Sequence, residues 1–436
     1  MARTDSEEEA GGDVAAGRYG WVVMGVLWTL DGAVTVMIFT LGMLLPEMRE
    51  AMGFSTVQAG LLGSTFFIAM TTASLPAAIW LSRFSPKRMT VIAAFGMAAL
   101  ALAQGLAPGF LALFVARMAF MYLAVIRIPA EILMIQQWFH GSRVATVNSI
   151  TIGSFSIGQF VAIAGTPLLL PLVDGWRGIH VATSFLYLAV AIAWVVLGRE
   201  RGYEHSAKAE EGTAHAVQVR PARDEGRPFM VLRRRPILFL LASTQFGGAI
   251  AWASFITFFP TFGVEHRDMT LAEVGGVFAF FSAGAAIGSF SAGAISNGIG
   301  RRKPLIFIPG FLMPVLYLVI LSVSPAAWVP LLMILGFMTS VVVPMVLTFP
   351  FDLGLSPREV AVGVGLVRTV TPMGSAIGPP LVGLLQESTG SLETALYWVL
   401  PASVTVGVIG LLLPETSPLR KRGDGGLMPL GGAAET

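Results

Sequence analysis

The sequence predicts an all-α membrane protein with about twelve transmembrane helices in two pseudo-symmetric six-helix bundles. Three observations carry that expectation. Of the 436 residues, 55% are hydrophobic and 12% charged, and the mean hydropathy is +0.74, whereas soluble domains carry about 25% charged residues. The apolar runs are continuous over about 20 residues, enough to cross a hydrocarbon core of about 30 Å, and lack the alternating segments of an outer-membrane barrel. A single long polar stretch, residues 199–235, divides the chain into two halves.

Residues 1–19 begin MARTDSEEEAGGDVAAGR, acidic and small, without the basic start and short apolar core of a signal peptide, and read as a mobile cytoplasmic tail. Residues 20–198 form the N-terminal bundle, with spans expected at 20–45, 57–82, 88–107, 110–139, 143–172 and 177–198. Residues 199–235, rich in Arg, Glu, Ala and Gly, read as a cytoplasmic linker. Residues 236–414 form the C-terminal bundle, with spans at 236–262, 271–297, 303–323, 327–351, 358–386 and 391–414, and residues 415–436 make a second cytoplasmic tail.

The distribution of Lys and Arg sets the orientation. The loops on one side hold Arg83, Lys87 and Arg88, then Arg143, the many arginines of 199–235, Arg301, Arg302 and Lys303, and Arg358. The opposite loops hold Arg49, Arg177 and Arg267 among a larger number of acids. Both termini are therefore expected in the cytoplasm of a multi-pass protein of the inner (plasma) membrane. The net charge of +2 arises mostly from these loops and points to topology, not to nucleic acid. There is no cysteine, hence no disulfide, thiolate metal site or cysteine nucleophile. The five histidines lie in or near loops without ligand spacing, and no GxxxxGKS phosphate loop appears. No enzyme, metal or cofactor is expected.

The informative residues are charges inside apolar spans, which cost roughly 2.5–3.5 kcal/mol each on translocon scales and are kept where they face protein or water. The fourth span, RMAFMYLAVIRIPAEILMIQQWF from Arg117 to Phe139, contains Arg117, Arg127 and Glu131. Arg127 and Glu131 are four apart, so an intrahelical ion pair is the simplest reading, with gating or coupling as the other. Pro129 between them is expected to kink the helix. Asp31, about 16 Å into the first span, is a candidate proton carrier or a structural carboxylate. Arg117 is a candidate to bind a carboxylate bidentately, or an anchor reaching the outer headgroups. Arg368, midway along the eleventh span, is a candidate substrate contact or the partner of a buried acid. Asn148 and Gln245 are further candidates for orienting a ligand, beside Ser154, Ser156 and Gln159, although each polar group serves equally between helices. Trp28, Phe155, Trp252 and Phe255 are candidates to shape the pocket.

The halves echo each other in the loop after the second span of each. The second half reads Gly293-Ala-Ile-Ser-Asn-Gly-Ile-Gly-Arg-Arg-Lys303, and the first reads Ala78-Ile-Trp-Leu-Ser-Arg-Phe-Ser-Pro-Lys-Arg88. Such duplication marks many secondary transporters, whose substrate site lies between the repeats near the midplane. On Gly293, Gly300, Arg301, Arg302 and Lys303 the sequence resembles the loop motif of the major facilitator superfamily, with Asn297 at the usual aspartate. In the first half Ser82 and Ser85 replace the aspartate and second glycine, while Arg83, Lys87 and Arg88 supply the basic run. Within the superfamily, Arg117, Pro129, Trp138, Phe139, Arg143 and Gly175-Trp176-Arg177, with Asp31, resemble the anion:cation symporter branch that carries organic acids and hexuronates. The chain departs from that branch at Ala124, where the coupling glutamate is usual, and at Gly32, where arginine often follows the first-helix aspartate.

The resemblance implies a major facilitator fold and transport by alternating access. With the surplus of buried arginine it implies a small organic anion, a mono- or dicarboxylate, carried with a proton. Arg117 and Arg368 would hold the carboxylate, Asp31 or Glu131 the proton, and the basic loops the gate. The expected partners are that anionic small molecule, the coupling proton and the bilayer, with no nucleic acid and a monomeric state. The other readings are a proton-driven exporter of amphipathic or apolar compounds and a transporter-like sensor that moves nothing.

Overall fold

The computed structural model describes residues 2–81, 84–139, 142–200, 235–353 and 355–416. The N-terminal half contains α1 (Ala2–Met52), α2 (Thr56–Leu81), α3 (Pro86–Gly105), α4 (Phe110–Trp138), α5 (Ser142–Leu169) and α6 (Gly175–Leu197). In the C-terminal half the seventh span is two helices, α7 (Ile237–Thr244) and α8 (Phe246–Arg267), broken at Gln245. The chain continues through α9 (Leu271–Ile299), α10 (Pro304–Ser322), α11 (Trp328–Asp352) and α12 (Pro357–Thr389). The last span is α13 (Leu392–Val399) and α14 (Val404–Leu412), joined by a 3-10 turn over Leu400–Ser403 that contains Pro401.

Among the described residues there is no strand, and ten segments are long and apolar enough to cross a membrane. Helices α2 and α12, of 26 and 33 residues, pack into the same bundles and complete the twelve crossings. One boundary differs from expectation. Helix α1 extends back to Ala2 through residues expected as a tail, a stretch rich in the strong helix formers Ala and Glu. The linker and second tail fall largely on residues 201–234 and 417–436, outside the described residues.

One apolar cluster is confined to the first half, while the larger one runs across the junction and joins Leu44, Leu62 and Leu113 to the second half. In the first, Leu30, Met37, Met97, Phe120 and Tyr187 are sealed together, and in the second Phe255, Phe259, Phe278, Tyr317 and Trp328 form an aromatic stack. Phe255, a candidate for shaping a pocket, is completely buried in that stack, because its ring fills the space between α8, α9 and α10.

Helix ends repeat the pseudo-symmetry. After α6, the Glu200 carboxylate accepts from the Lys87 amide at 2.6 Å and the Ser85 hydroxyl at 2.7 Å, capping α3. After α14, the Glu415 carboxylate accepts from the Arg302 and Lys303 amides at 2.9 and 3.4 Å, capping α10. The same acid thus closes the equivalent helix start in each half, where unpaired amides and the helix dipole favour negative charge.

The halves meet at the ends of the helices remote from the 199–235 connection, here termed the far face. A side chain on Gly60 of α2 would lie 2.4 Å from the Pro379 carbonyl of α12, and one on Gly383 2.6 Å from the Thr56 carbonyl. Only glycine permits that approach. The Arg49–Glu265 ion pair at 3.5 Å and a Glu387 carboxylate accepting from the Val57 amide at 3.2 Å complete the seal.

Candidate functional site

The site begins with three charges at mid-depth of the N-terminal half. Arg127 of α4 donates to the Asp31 carboxylate of α1 and, at 3.3 Å, to the Glu131 carboxylate one turn along its own helix. The guanidinium is 3% exposed, Glu131 7% and Asp31 15%, so Asp31 is the member nearest open space. Asp31 Oδ2, Glu131 Oε1 and Arg127 Nε have no hydrogen-bond partner among the described residues. Two carboxylates sharing one guanidinium carry a formal surplus of one negative charge. Burial makes an uncompensated charge costly, and a single proton on the cluster would cancel it. Helix α4 runs through Pro129 without ending.

Arg117 lies ten residues before Arg127, about 15 Å along α4 toward the far face. It is 2% exposed. Its guanidinium donates to the carbonyls of Leu62 at 3.3 Å, Met37 at 3.2 Å and Ile38 at 3.5 Å, joining α4 to α2 and α1. Among the described residues no acid pairs with it.

Arg368 in α12 is exposed and has no ion-pair partner among the described residues. At ~100° per residue it sits roughly 160° around the helix from Met373, Ile377 and Leu384, the exposed apolar stripe. It lies between the faces that touch α8 through Gly374 and Gly378 and α2 through Gly383. That rotation turns Arg368 toward the junction of the halves and away from lipid.

The remaining candidates are spread more widely. The Trp28 indole N–H donates to the Thr151 hydroxyl at 2.9 Å, tying α1 to α5. Gln245 is buried at the break between α7 and α8. The Ser154 hydroxyl donates to the Thr151 carbonyl, and Gln159 is buried with Nε2 unpartnered. Arg83 and the side chain of Asn148 lie outside the described residues.

In the loop motif, Gly293, Asn297 and Arg301 are exposed. Gly300 ends α9 in the left-handed region, φ 69°. Arg302 pairs with Asp352 at the end of α11, so its charge is held within the second half. In the first-half counterpart the Arg88 amide is capped by Ser85 Oγ at 3.2 Å, Arg88 is exposed, and the Lys87 carbonyl accepts from the Trp194 indole at 3.2 Å.

Sequence reasoning missed the acids at helix ends. Glu47 accepts from the Trp176 amide at 3.1 Å, capping α6 from α1, while Glu200, Glu415 and Asp352 bind the loop motifs. Their signal was an acid just beyond a span, without information on which amides it meets. Trp252, a candidate for shaping the pocket, lies at the junction of the halves. From α8 its ring approaches Phe39 at 6.2 Å and Phe67 at 5.8 Å, and Phe39 meets Phe155 at 5.7 Å. One tryptophan of the second half thus meets two phenylalanines of the first, one of which packs on Phe155. Among the described residues no group of His, Asp and Glu is placed to hold a metal ion.

Comparison with known proteins places the chain among transporters of one family. A profile of the Major Facilitator Superfamily matches residues 27–354. A probable L-galactonate transporter of Escherichia coli is 26% identical over 179 residues, 40% of this chain and 39% of that protein. A probable galactarate/D-glucarate transporter of Bacillus subtilis is 23% identical, with 90% of this chain and 91% of that protein covered. A cis,cis-muconate transport protein of Acinetobacter baylyi is 25% identical, with 84% and 88% covered. In shape the chain is similar to an inward-facing bacterial homolog of the human lysosomal transporter Spinster, with a TM-score of 0.72, 18% identity, and 90% of this chain and 95% of that one covered. It is also similar to a nucleoside transporter, with a TM-score of 0.71, 12% identity, and 90% and 98% covered.

Proposed function

The chain belongs to the major facilitator superfamily and is a membrane transporter of that type, not an enzyme, and from that premise we propose that it carries a small organic anion, a mono- or dicarboxylate, together with a proton. The observation that carries the reading is the opposition of two charge systems across the junction of the halves. On one side Asp31 and Glu131 share the single guanidinium of Arg127. On the other stands Arg368, an arginine without an acid partner among the described residues. The first accepts a proton without leaving a charge surplus, and the second offers a cation to a carboxylate. The organic-acid names of the relatives agree with this pairing.

In the proposed cycle both termini and the linker lie in the cytoplasm, so the described state is the one sealed to the outside. Rocking of the halves would open the glycine contacts between α2 and α12 and present Arg368 outward. A proton on Asp31 or Glu131 neutralises the cluster, and the carboxylate neutralises Arg368. Loading both lowers the charge that must move through the closed intermediate. Arg117, bonded to three carbonyls, enters this cycle as the residue that keeps α1, α2 and α4 moving together.

Proteoliposome uptake of a labelled panel of mono- and dicarboxylates, with and without an inward proton gradient, tests the proposal. Wild type should accumulate a carboxylate only with the gradient, and Arg368→Ala should abolish uptake. Asp31→Asn should keep exchange of labelled for unlabelled substrate and lose gradient-driven accumulation. Uptake by wild type that ignores the gradient, or Arg368→Ala transporting normally, would overturn it.

A further inference from the structure

Arg368 has polar neighbours just outward of it. Helices α2 and α12 run antiparallel, with Gly60 beside the Pro379 carbonyl and Gly383 beside that of Thr56. Counting inward from the first of these contacts by equal steps along both helices brings Thr71 of α2 level with Arg368 of α12. At ~100° per residue Thr71 lies only about 20° around α2 from Gly60, so it faces α12. Thr371 follows Arg368 by one turn on its own helix. Side chains lean toward the start of their helix, which carries the Arg368 head inward and the Thr71 hydroxyl outward. One turn beyond Thr71, Phe67 meets Trp252 at 5.8 Å and closes this layer from above.

The opposite wall supplies an amide. Gly158 of α5 touches Gly32 and Thr35 of α1, while the Ile163 carbonyl approaches Gly275 of α9. Gln159 lies between those two faces, about 100° around α5 from Gly158 and about 40° from Ile163. It therefore points into the space where α1, α5 and α9 meet, within about a turn of Asp31.

Thr71 Oγ1, Thr371 Oγ1 and Gln159 Nε2 are buried without a hydrogen-bond partner among the described residues. Gln159 as a whole is 5% exposed. Neighbouring hydroxyls behave otherwise: Thr35, Ser154 and Thr369 each donate to a carbonyl of their own helix. A buried polar group left unpaired is costly, and an apolar side chain of the same shape avoids that cost. Here three such groups from both halves gather beside an arginine that also lacks an ion-pair partner among the described residues. Two hydroxyls that both give and take, and an amide nitrogen that gives, match a ligand body that carries hydroxyls.

From this we propose that Gln159, Thr71 and Thr371 bind the hydroxyls of an acid whose carboxylate is held by Arg368, and that Gln159 sets the preference for a hydroxylated body over a hydrocarbon one. The inference rests on the anion-symport reading above and names the polar contacts of its substrate. A hydroxylated acid gives up water on each hydroxyl and recovers those bonds in this layer. An acid of equal length without hydroxyls leaves the three groups unpaired, and sites that bond a substrate hydroxyl reject the analogue lacking it strongly. The layer is buried in the described state and opens as the far face parts. Thr71 and Gln159 belong to the first half and Thr371 to the second, so the full set of bonds forms only with the halves closed on the substrate.

The test is gradient-driven uptake into proteoliposomes of the full chain, with labelled galactarate and adipate, diacids of equal chain length that differ only in their hydroxyls. Wild type should take up galactarate at least about tenfold faster than adipate at equal concentration. Gln159→Leu should raise KM for galactarate by about tenfold and move KM for adipate far less, so that the preference collapses. Gln159→Asn, which keeps an amide, should retain part of it, and Thr371→Val should weaken it from the other half. A variant that merely damaged the fold would lower Vmax for both acids and leave their ratio unchanged, and the wild-type ranking does not depend on any variant. Adipate carried as fast as galactarate, or an unchanged ratio in Gln159→Leu, would overturn this inference while leaving anion symport intact. If neither acid moves, both fall.

Discussion

Arg127 is the residue on which the most depends, because it neutralises two acids from different helices at once. Removing one partner of a buried ion pair costs about 3–5 kcal/mol, since the remaining charge stays in low dielectric. Arg127→Leu should therefore lower the unfolding temperature in detergent more than any other single change at the site. The triple variant Arg127→Leu, Asp31→Asn, Glu131→Gln should regain much of that loss. If Arg127→Leu unfolds like wild type, the three groups are not the electrostatic unit described. Arg117 should behave differently. Its partners are carbonyls, so Arg117→Lys, with fewer donors and no planar fork, should weaken the packing of α1 on α2 and lower stability at any pH. Glu131 and Asp31 can be separated functionally by the exchange assay, because only the coupling acid is needed for accumulation.

At the level of elements, the decisive contact is α2 against α12. Gly60 and Gly383 bring the two backbones within van der Waals distance at the far face. Gly60→Leu should hold that face open, which labelling of a cysteine placed at Val57 would report as faster modification than in the otherwise unchanged chain. An unchanged labelling rate would mean that the seal closes elsewhere. The caps formed by Glu200 and Glu415 belong to the same scale. Each replaces amides' lost hydrogen bonds at a helix start, so Glu415→Ala should destabilise by about 1 kcal/mol, and Glu200→Ala by a similar amount if the pseudo-symmetry extends to energetics. Differential melting of the two variants measures both.

For the whole molecule, alternating access requires the far-face seal to break once in every cycle. The natural absence of cysteine makes a clean test available. Paired cysteines at Val57 and Glu387, whose amide and carboxylate meet at 3.2 Å, joined by a disulfide or a short cross-linker, should stop uptake, and cleavage of a reducible link should restore it. Transport that continues through the intact link would show that the halves need not separate there. The division of labour between halves is also a property of the whole: the carboxylate cluster sits in one and Arg368 in the other. In the proposed cycle both charges would face one substrate only while the bundles are docked.

Residues read one segment at a time were enough for the order of the spans, the loop motifs and the presence of buried charge. These are local quantities. The apolarity of a segment about 20 residues long decides insertion whatever its neighbours do, and the four-residue spacing of Arg127 and Glu131 puts them on one helix face in any fold. The tertiary structure alone decided that Asp31, 96 residues away in the chain, joins that pair, that Arg117 is occupied by carbonyls, that Phe255 is core while Trp252 crosses the junction, and which amides Glu47, Glu200 and Glu415 cap. Each of these depends on how far a helix is rotated about its axis and how closely its glycines let a neighbour approach. Hydropathy, which is nearly uniform around these spans, carries no record of either.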